Sequence, residues 1–327
     1  MEHGRVPDGP GAWAARRTQG PRRTQGLHRT QGPRGTQGPR GARGPRRAAG
    51  AVAVGLALAG CGPAGDDGPP ASGVPGASAT GSPAGLPPAG VVVDYQLGGG
   101  YPPAAGVGGV VRDVTDVPEP GLWSGCYVNG FQTQPAERDA WLADHPDLVL
   151  RDAAGDPVVD PGWPDELLLD TRTAQQRAAI TEVVGEQVRR CAERGFVAVE
   201  LDNLDSWTRS GGLLTEDAAV DLAARLVAVA HEAGLAAGQK NTPDLGTRGR
   251  DEAGFDFAVA EQCLQYDECA AYTDVYGDAV VDVEYAGSDP AADWDGACAD
   301  PQRPVSTVLR DVDLRTPDDE GYVFATC

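Results

Sequence analysis

Two short apolar runs that end in acids carry most of the chemistry this chain can offer. Val197-Ala-Val-Glu-Leu-Asp-Asn-Leu-Asp205 and Phe255-Asp-Phe-Ala-Val-Ala-Glu-Gln-Cys263 each read as a buried strand finishing in a carboxylate. Side chains alternate along a strand, so Glu200 and Asp202 share one face of the first run, and Phe257, Val259 and Glu261 share one face of the second. Gln239-Lys-Asn241 ends a third run between them with amide and ammonium groups. Brought to one rim, such residues suit glycosyl transfer: one carboxylate attacks and one carboxylic acid protonates the leaving oxygen. A plainer reading of the same residues has Asp202 and Asp205 capping turns and Glu261 paired with Lys240.

The elements that must position these groups follow a regular rhythm. Apolar and β-branched runs recur at residues 91–95, 125–128, 167–169, 196–201, 235–239, 255–260, 280–285, 305–309 and 322–325. Helical periods lie between several of them, most clearly at 173–194 and 215–233. Thr215 offers an N-cap with Glu216 and Asp217 in the first turn, and Gly195 and Gly234 fall where the two helices should stop. Strand, helix, glycine, strand is the pattern of a parallel α/β sheet. An open doubly wound sheet would read similarly to a barrel, but no Gly-x-Gly-x-x-Gly or Walker loop follows a strand. The 240 residues from 88 to 327 match the length of one (β/α)8 barrel, about 250 residues.

The N-terminal region is of another kind. Residues 1–47 are mostly Arg, Gly, Pro, Thr and Gln, with Arg-Thr-Gln-Gly recurring from Arg17, Arg23 and Arg29. A segment with so little to bury is expected to be disordered, or not translated at all. Residues 48–60 have the length of a signal-peptide apolar region and are too short to span a bilayer. Leu58-Ala-Gly-Cys61 resembles a bacterial lipobox, which implies cleavage before Cys61, lipid on its sulfur, and export to the outer face of the cell membrane. The alternative is an ordinary secretory signal with an incidental cysteine. Residues 61–87 read as a flexible Gly/Pro/Ala/Ser tether.

The first 60 residues hold 11 Arg and two acids, so the rest carries 16 basic against 46 acidic side chains, a net charge of −30. That balance argues against nucleic acid and favours a cationic ligand, although surface acidity also serves solubility alone. Beyond Cys61 six cysteines remain: Cys126, Cys191, Cys263, Cys269, Cys298 and Cys327. An even number suits disulfides in an oxidising compartment, and six allow 15 pairings. Short loop closure favours Cys263 with Cys269, then Cys298 with Cys327, leaving Cys126 with Cys191. With no Cys-x-x-Cys pair and only His145 and His231 left, neither a metal nor a cofactor is expected.

Several motifs together carry a family resemblance. Asp94-Tyr-Gln-Leu-Gly-Gly-Gly-Tyr101, Cys126-Tyr-Val-Asn-Gly-Phe-Gln-Thr-Gln-Pro135, Val199-Glu-Leu-Asp-Asn-Leu-Asp205, Gln239-Lys-Asn241, Ala260-Glu-Gln-Cys263 and Tyr266-Asp-Glu-Cys269 resemble glycoside hydrolase family 114. Leu201 stands where that family usually has Pro. The resemblance implies a (β/α)8 TIM barrel and a retaining endo-α-1,4-polygalactosaminidase, with Asp202 as nucleophile and Glu261 as general acid/base. It further implies that Asp94, Tyr127, Lys240, Asn241 and Glu284 line the sugar site. Asn203 and Asp205 belong to the same acidic motif, and Trp123, Tyr127, Trp163 and Trp207 offer stacking faces, Trp207 foremost because it follows Asp205 in one loop. Retention requires the two carboxyl groups about 5–5.5 Å apart, whereas inversion places them beyond about 6.5 Å. The expected partner is an amino-sugar polysaccharide, with a membrane reached through Cys61. The rival reading is a carbohydrate-binding lipoprotein that has lost turnover.

Overall fold

The computed structural model describes residues 85–327. The expectations for residues 1–47 and 48–60, for Cys61 and for the tether up to residue 84 lie outside the described residues. Eight parallel strands pair in chain order: β1 (Val93–Tyr95), β2 (Gly109–Asp113), β3 (Trp123–Asn129), β4 (Ala198–Asp202), β5 (Ala236–Lys240), β6 (Phe257–Glu261), β7 (Val280–Tyr285) and β8 (Ser306–Arg310). A ninth, β9 (Phe324–Thr326), runs antiparallel to β8. The helices are α1 (Arg138–Asp144), α2 (Ala174–Arg194), α3 (Glu216–Glu232), α4 (Cys269–Tyr276) and two short ones, α5 (Asp289–Ala292) and α6 (Trp294–Ala299). The result is a nearly closed TIM barrel. No ladder joins β1 to β8 among the described residues. The buried Arg310 spans that seam instead, donating to Asp94 Oδ1 at 2.9 Å and to the Tyr95 carbonyl.

Local sequence explains where the long helices begin and end. Thr173 accepts from the Gln176 amide and Thr215 from the Ala218 amide, each satisfying a first-turn N–H that has no partner within its helix. Gly195 at φ 94° closes α2 in the left-handed region, and Gly234 at φ 79° follows α3.

Two apolar layers sandwich the sheet. Inside the barrel Val93, Tyr95, Val111, Trp123, Tyr127, Phe257, Val259, Val281, Val283, Tyr285 and Val308 pack together. Trp123 and Phe257 meet edge to face, with centroids 5.9 Å apart. Gly238 is required here, because a Cβ at that position would sit 2.5 Å from the Phe257 ring. Outside, Cys126, Val128, Val199 and Leu201 pack beneath Ile180, Val184 and Val188 of α2 and Leu222 and Leu226 of α3. The β4 alternation is thereby settled: Val199 and Leu201 face the helices, and Glu200 and Asp202 face the barrel.

Three disulfides form: Cys126–Cys191 ties β3 to α2, Cys263–Cys269 closes the loop after β6, and Cys298–Cys327 ties α6 to the last residue. Two strand expectations differ from the structure. Residues 167–169 supply no barrel strand but isolated antiparallel bridges to Val149, Val159 and Gln132, within the long β3–α2 connection. Strand β2 was absent from the expected set. Its Gly-Val-Val-Arg-Asp has only two β-branched residues, and its pairing with β1 and β3 makes the strand.

Candidate active site

Six of the eight parallel strands end in a residue of the same cluster: Tyr95 on β1, Asn129 on β3, Asp202 on β4, Lys240 on β5, Glu261 on β6 and Tyr285 on β7. That is the C-terminal rim, where barrel enzymes hold their catalytic groups. The chain leaves three of these strands abruptly. Asn203, Asn241 and Gln262, each the residue after a charged strand end, have φ of 64°, 49° and 62°. Left-handed backbone at three non-glycine positions in one site is strain that the surrounding structure must hold, and asparagine tolerates it best.

Lys240 is the hub. Its ammonium lies 2.9 Å from Glu200 Oε1, 3.5 Å from Glu261 Oε2 and 3.8 Å from Asp202 Oδ2, and it donates to the Tyr95 hydroxyl at 2.9 Å. Exposure divides the cluster into two tiers. The Lys240 and Glu200 side chains are 2% and 1% exposed, whereas Asp202 and Glu261 are 19% and 27% exposed. A substrate can therefore reach the two rim carboxylates but not the ammonium below them.

Each rim carboxylate is held by a tyrosine and an asparagine. Tyr127 donates to Asp202 Oδ2 at 2.7 Å, and the Asn203 backbone N–H donates to Oδ1 at 2.7 Å. Tyr285 donates to Glu261 Oε1, and Asn241 donates to Oε2 at 3.0 Å while accepting from the Glu261 backbone N–H at 2.8 Å. Burial would lower the Lys240 pKa, but the charges of Asp202, Glu200 and Glu261 outweigh it and hold the group well above its ordinary value. Burial raises the Glu200 carboxyl despite the opposing charge of Lys240. Burial, reinforced by Asp202, likewise keeps Tyr127 a neutral donor.

Beside Asp202 a polar network braces the turn. Asn203 donates to Asn129 Oδ1 at 3.1 Å, and Asn129 donates to Glu166 Oε2 at 3.2 Å. Arg209 donates to Asn203 Oδ1 at 3.0 Å and to Asp205 Oδ1 at 2.6 Å, and also pairs with Asp160. Asp205 thus anchors the turn that carries Asp202.

Two expected sugar contacts lie elsewhere. Asp94 is fully buried, with its carboxylate bonded to Gln96, Tyr101 and Arg310 at the β1–β8 seam. Glu284 is also fully buried, and it points out of the barrel because Val281, Val283 and Tyr285 take the inner face of β7. It accepts from the Leu264 N–H at 2.8 Å, and Asp282 beside it accepts from the Cys263 N–H. Trp207, in the loop after β4, is partly buried and packs against two apolar clusters. Trp123 is interior, while Trp163 is 43% exposed. Cys263, Cys269 and Asp282 stand within 4.8 Å of one another, but the two sulfurs are bonded to each other. Sequence reasoning passed over Tyr95, Tyr285, Asn129 and Glu166. For Tyr285 a signal existed: period-two alternation groups it with Val281 and Val283, the apolar face that a barrel interior takes.

The family model for glycoside-hydrolase family GH114 matches residues 75–327. The chain belongs to that family. It is accordingly a glycoside hydrolase, and its paired rim carboxylates are the chemistry such an enzyme needs. Among solved structures it is similar to Aspergillus fumigatus Ega3 in complex with galactosamine, at 21% identity and a TM-score of 0.57, covering 73% of this chain and 96% of that one. The glycoside hydrolase domain of PelA from Pseudomonas aeruginosa matches at 16% identity and a TM-score of 0.46, covering 68% of this chain and 95% of that one. No curated protein matches the chain.

Proposed function

We propose that this GH114 member is a retaining endo-glycoside hydrolase that cleaves α-1,4-linked, galactosamine-containing polysaccharide. The observation that carries the reading is the pair of accessible carboxylates, Asp202 and Glu261, each within 4 Å of the one buried Lys240 ammonium. Asp202 attacks the anomeric carbon. Glu261, held by Tyr285 and Asn241, gives its proton to the glycosidic oxygen as that bond breaks. Glu261 then takes a proton from water, which hydrolyses the glycosyl–Asp202 ester. Tyr127 and the Asn203 N–H aim Asp202 and disperse its charge between the two steps.

The galactosamine in the Ega3 structure supports the choice of sugar. So does the net −30 beyond residue 60, because a partly deacetylated polymer carries ammonium groups that an acidic enzyme attracts at low salt. Export and a lipid anchor at Cys61 belong to the same proposal and rest on Leu58-Ala-Gly-Cys61. The test is release of reducing ends from partly deacetylated α-1,4-galactosaminan by the parent and by Asp202→Asn and Glu261→Gln. Hydrolysis by the parent alone supports the assignment; binding without cleavage by all three proteins rejects it in favour of a sugar-binding protein.

A further inference from the structure

Beneath the rim lies an ion pair that no substrate can touch. Lys240 Nζ stands 2.9 Å from Glu200 Oε1 and donates to the Tyr95 hydroxyl at 2.9 Å; that hydroxyl in turn donates to Glu200 Oε1 at 2.6 Å. Glu200 Oε2 is buried without a hydrogen-bond partner. Well-packed apolar residues are often as stabilising as a buried ion pair, so stability alone gives little reason for this one.

We propose that Glu200 is a positioning residue for the glycosidase reaction, acting through Lys240 to set how much positive field reaches Asp202 and Glu261. The inference rests on the reading of those two as nucleophile and general acid/base. The groups facing the pair come from every neighbouring strand: Tyr95 of β1, Tyr127 of β3 with its ring centroid 5.6 Å from Nζ, Asp202 of β4, Glu261 of β6 and Tyr285 of β7. Strands β2 and β8 present Val111 and Val308 to the interior. The inventory is one ammonium against three carboxylates. With Glu200 ionised, part of Lys240's charge is already answered at 2.9 Å, and the rim pair retains one proton more readily than it would under an unshared ammonium. That proton is the one the leaving oxygen needs, and the partner carboxylate stays charged for attack. Without Glu200 the full ammonium acts on the rim and strips the proton at lower pH.

The experiment compares pH–rate profiles of kcat/KM for galactosaminan hydrolysis by the full chain, its Glu200→Gln variant and its Glu200→Asp variant. In Glu200→Gln both limbs should move to lower pH by about one unit, the scale of one charge acting across a side chain in a partly buried site, and Glu200→Asp should return them toward the parent. A Glu200→Gln profile that is lower but unmoved would reduce Glu200 to a packing role and overturn the inference. Tyr95→Phe loosens the same pair more gently and should move the limbs in the same direction, so the question stays answerable if Glu200→Gln fails to fold. Side-chain carboxyl 13C NMR of Asp202 and Glu261 gives a readout that needs no turnover. Titrations displaced to lower pH in Glu200→Gln support the coupling, and coincident ones refute it, even should the parent prove not to cleave this polymer.

Discussion

Replacing Lys240 by Met should destabilise the fold severely, and replacing Glu200 by Gln in the same molecule should recover part of that loss rather than add to it. In the parent the pair is 2.9 Å apart, with side chains 2% and 1% exposed. Removing one member of such a pair strands a buried charge and costs about 3–5 kcal/mol. Lys240→Met should fall in that range, because Glu200 keeps only the Tyr95 hydroxyl while Asp202 and Glu261 lose their shared cation. Glu200→Gln should cost less, about 1–2 kcal/mol, since the amide can still accept from Tyr95 and the ammonium keeps both rim carboxylates. The double variant leaves neither charge stranded at that depth, so the cycle should show a coupling of about 2–3 kcal/mol in the favourable sense. Urea unfolding of the four proteins at neutral pH, compared by midpoint at unchanged slope, measures it. Additive losses would mean that the two residues do not share one charge balance, and the two-tier picture of the site would fail.

Two further outcomes follow from the same geometry. Cys126–Cys191 closes 65 residues and Cys263–Cys269 only 6, so loop-closure entropy assigns them about 4 and about 2 kcal/mol; paired Cys→Ser variants compared by urea unfolding should rank in that order. Burial first, and the charge of Glu284 second, push Asp282 well above the usual carboxylate range. Its stabilising contribution is therefore complete below the unfolded-state pKa near 3.9 and lost as pH rises through the folded value. Asp282→Asn keeps an acceptor for the Cys263 N–H and removes that loss. The variant should match the parent in acid and exceed it at neutral pH, with Tm higher by about 2–4 °C per kcal/mol recovered.

Much of this protein is legible in its sequence because much of it is local. Caps at Thr173 and Thr215, glycines after the two long helices and apolar runs before each acid are properties of a few consecutive residues, and they place Asp202, Lys240 and Glu261 at strand ends. Alternation likewise puts Glu200 with Asp202, and Glu261 with Val259. Alternation does not say which of a strand's two faces looks inward. On β7 alternation allows either face, the acidic one with Asp282 and Glu284 or the apolar one with Tyr285; the barrel takes the apolar face, while the loop after β6 covers the acids with backbone N–H groups. On β5 the same choice turned Lys240 inward and left Gln239 bonded to Tyr276. Asp94 went to the seam because β1 and β8 share no ladder and Arg310 needed a buried counter-charge there. Sequence alone therefore determined that Asp202, Lys240 and Glu261 stand at strand ends and are chemically able. Only the closure of the sheet decided which of them share one ammonium, because that depends on contacts between residues up to 145 apart in the chain.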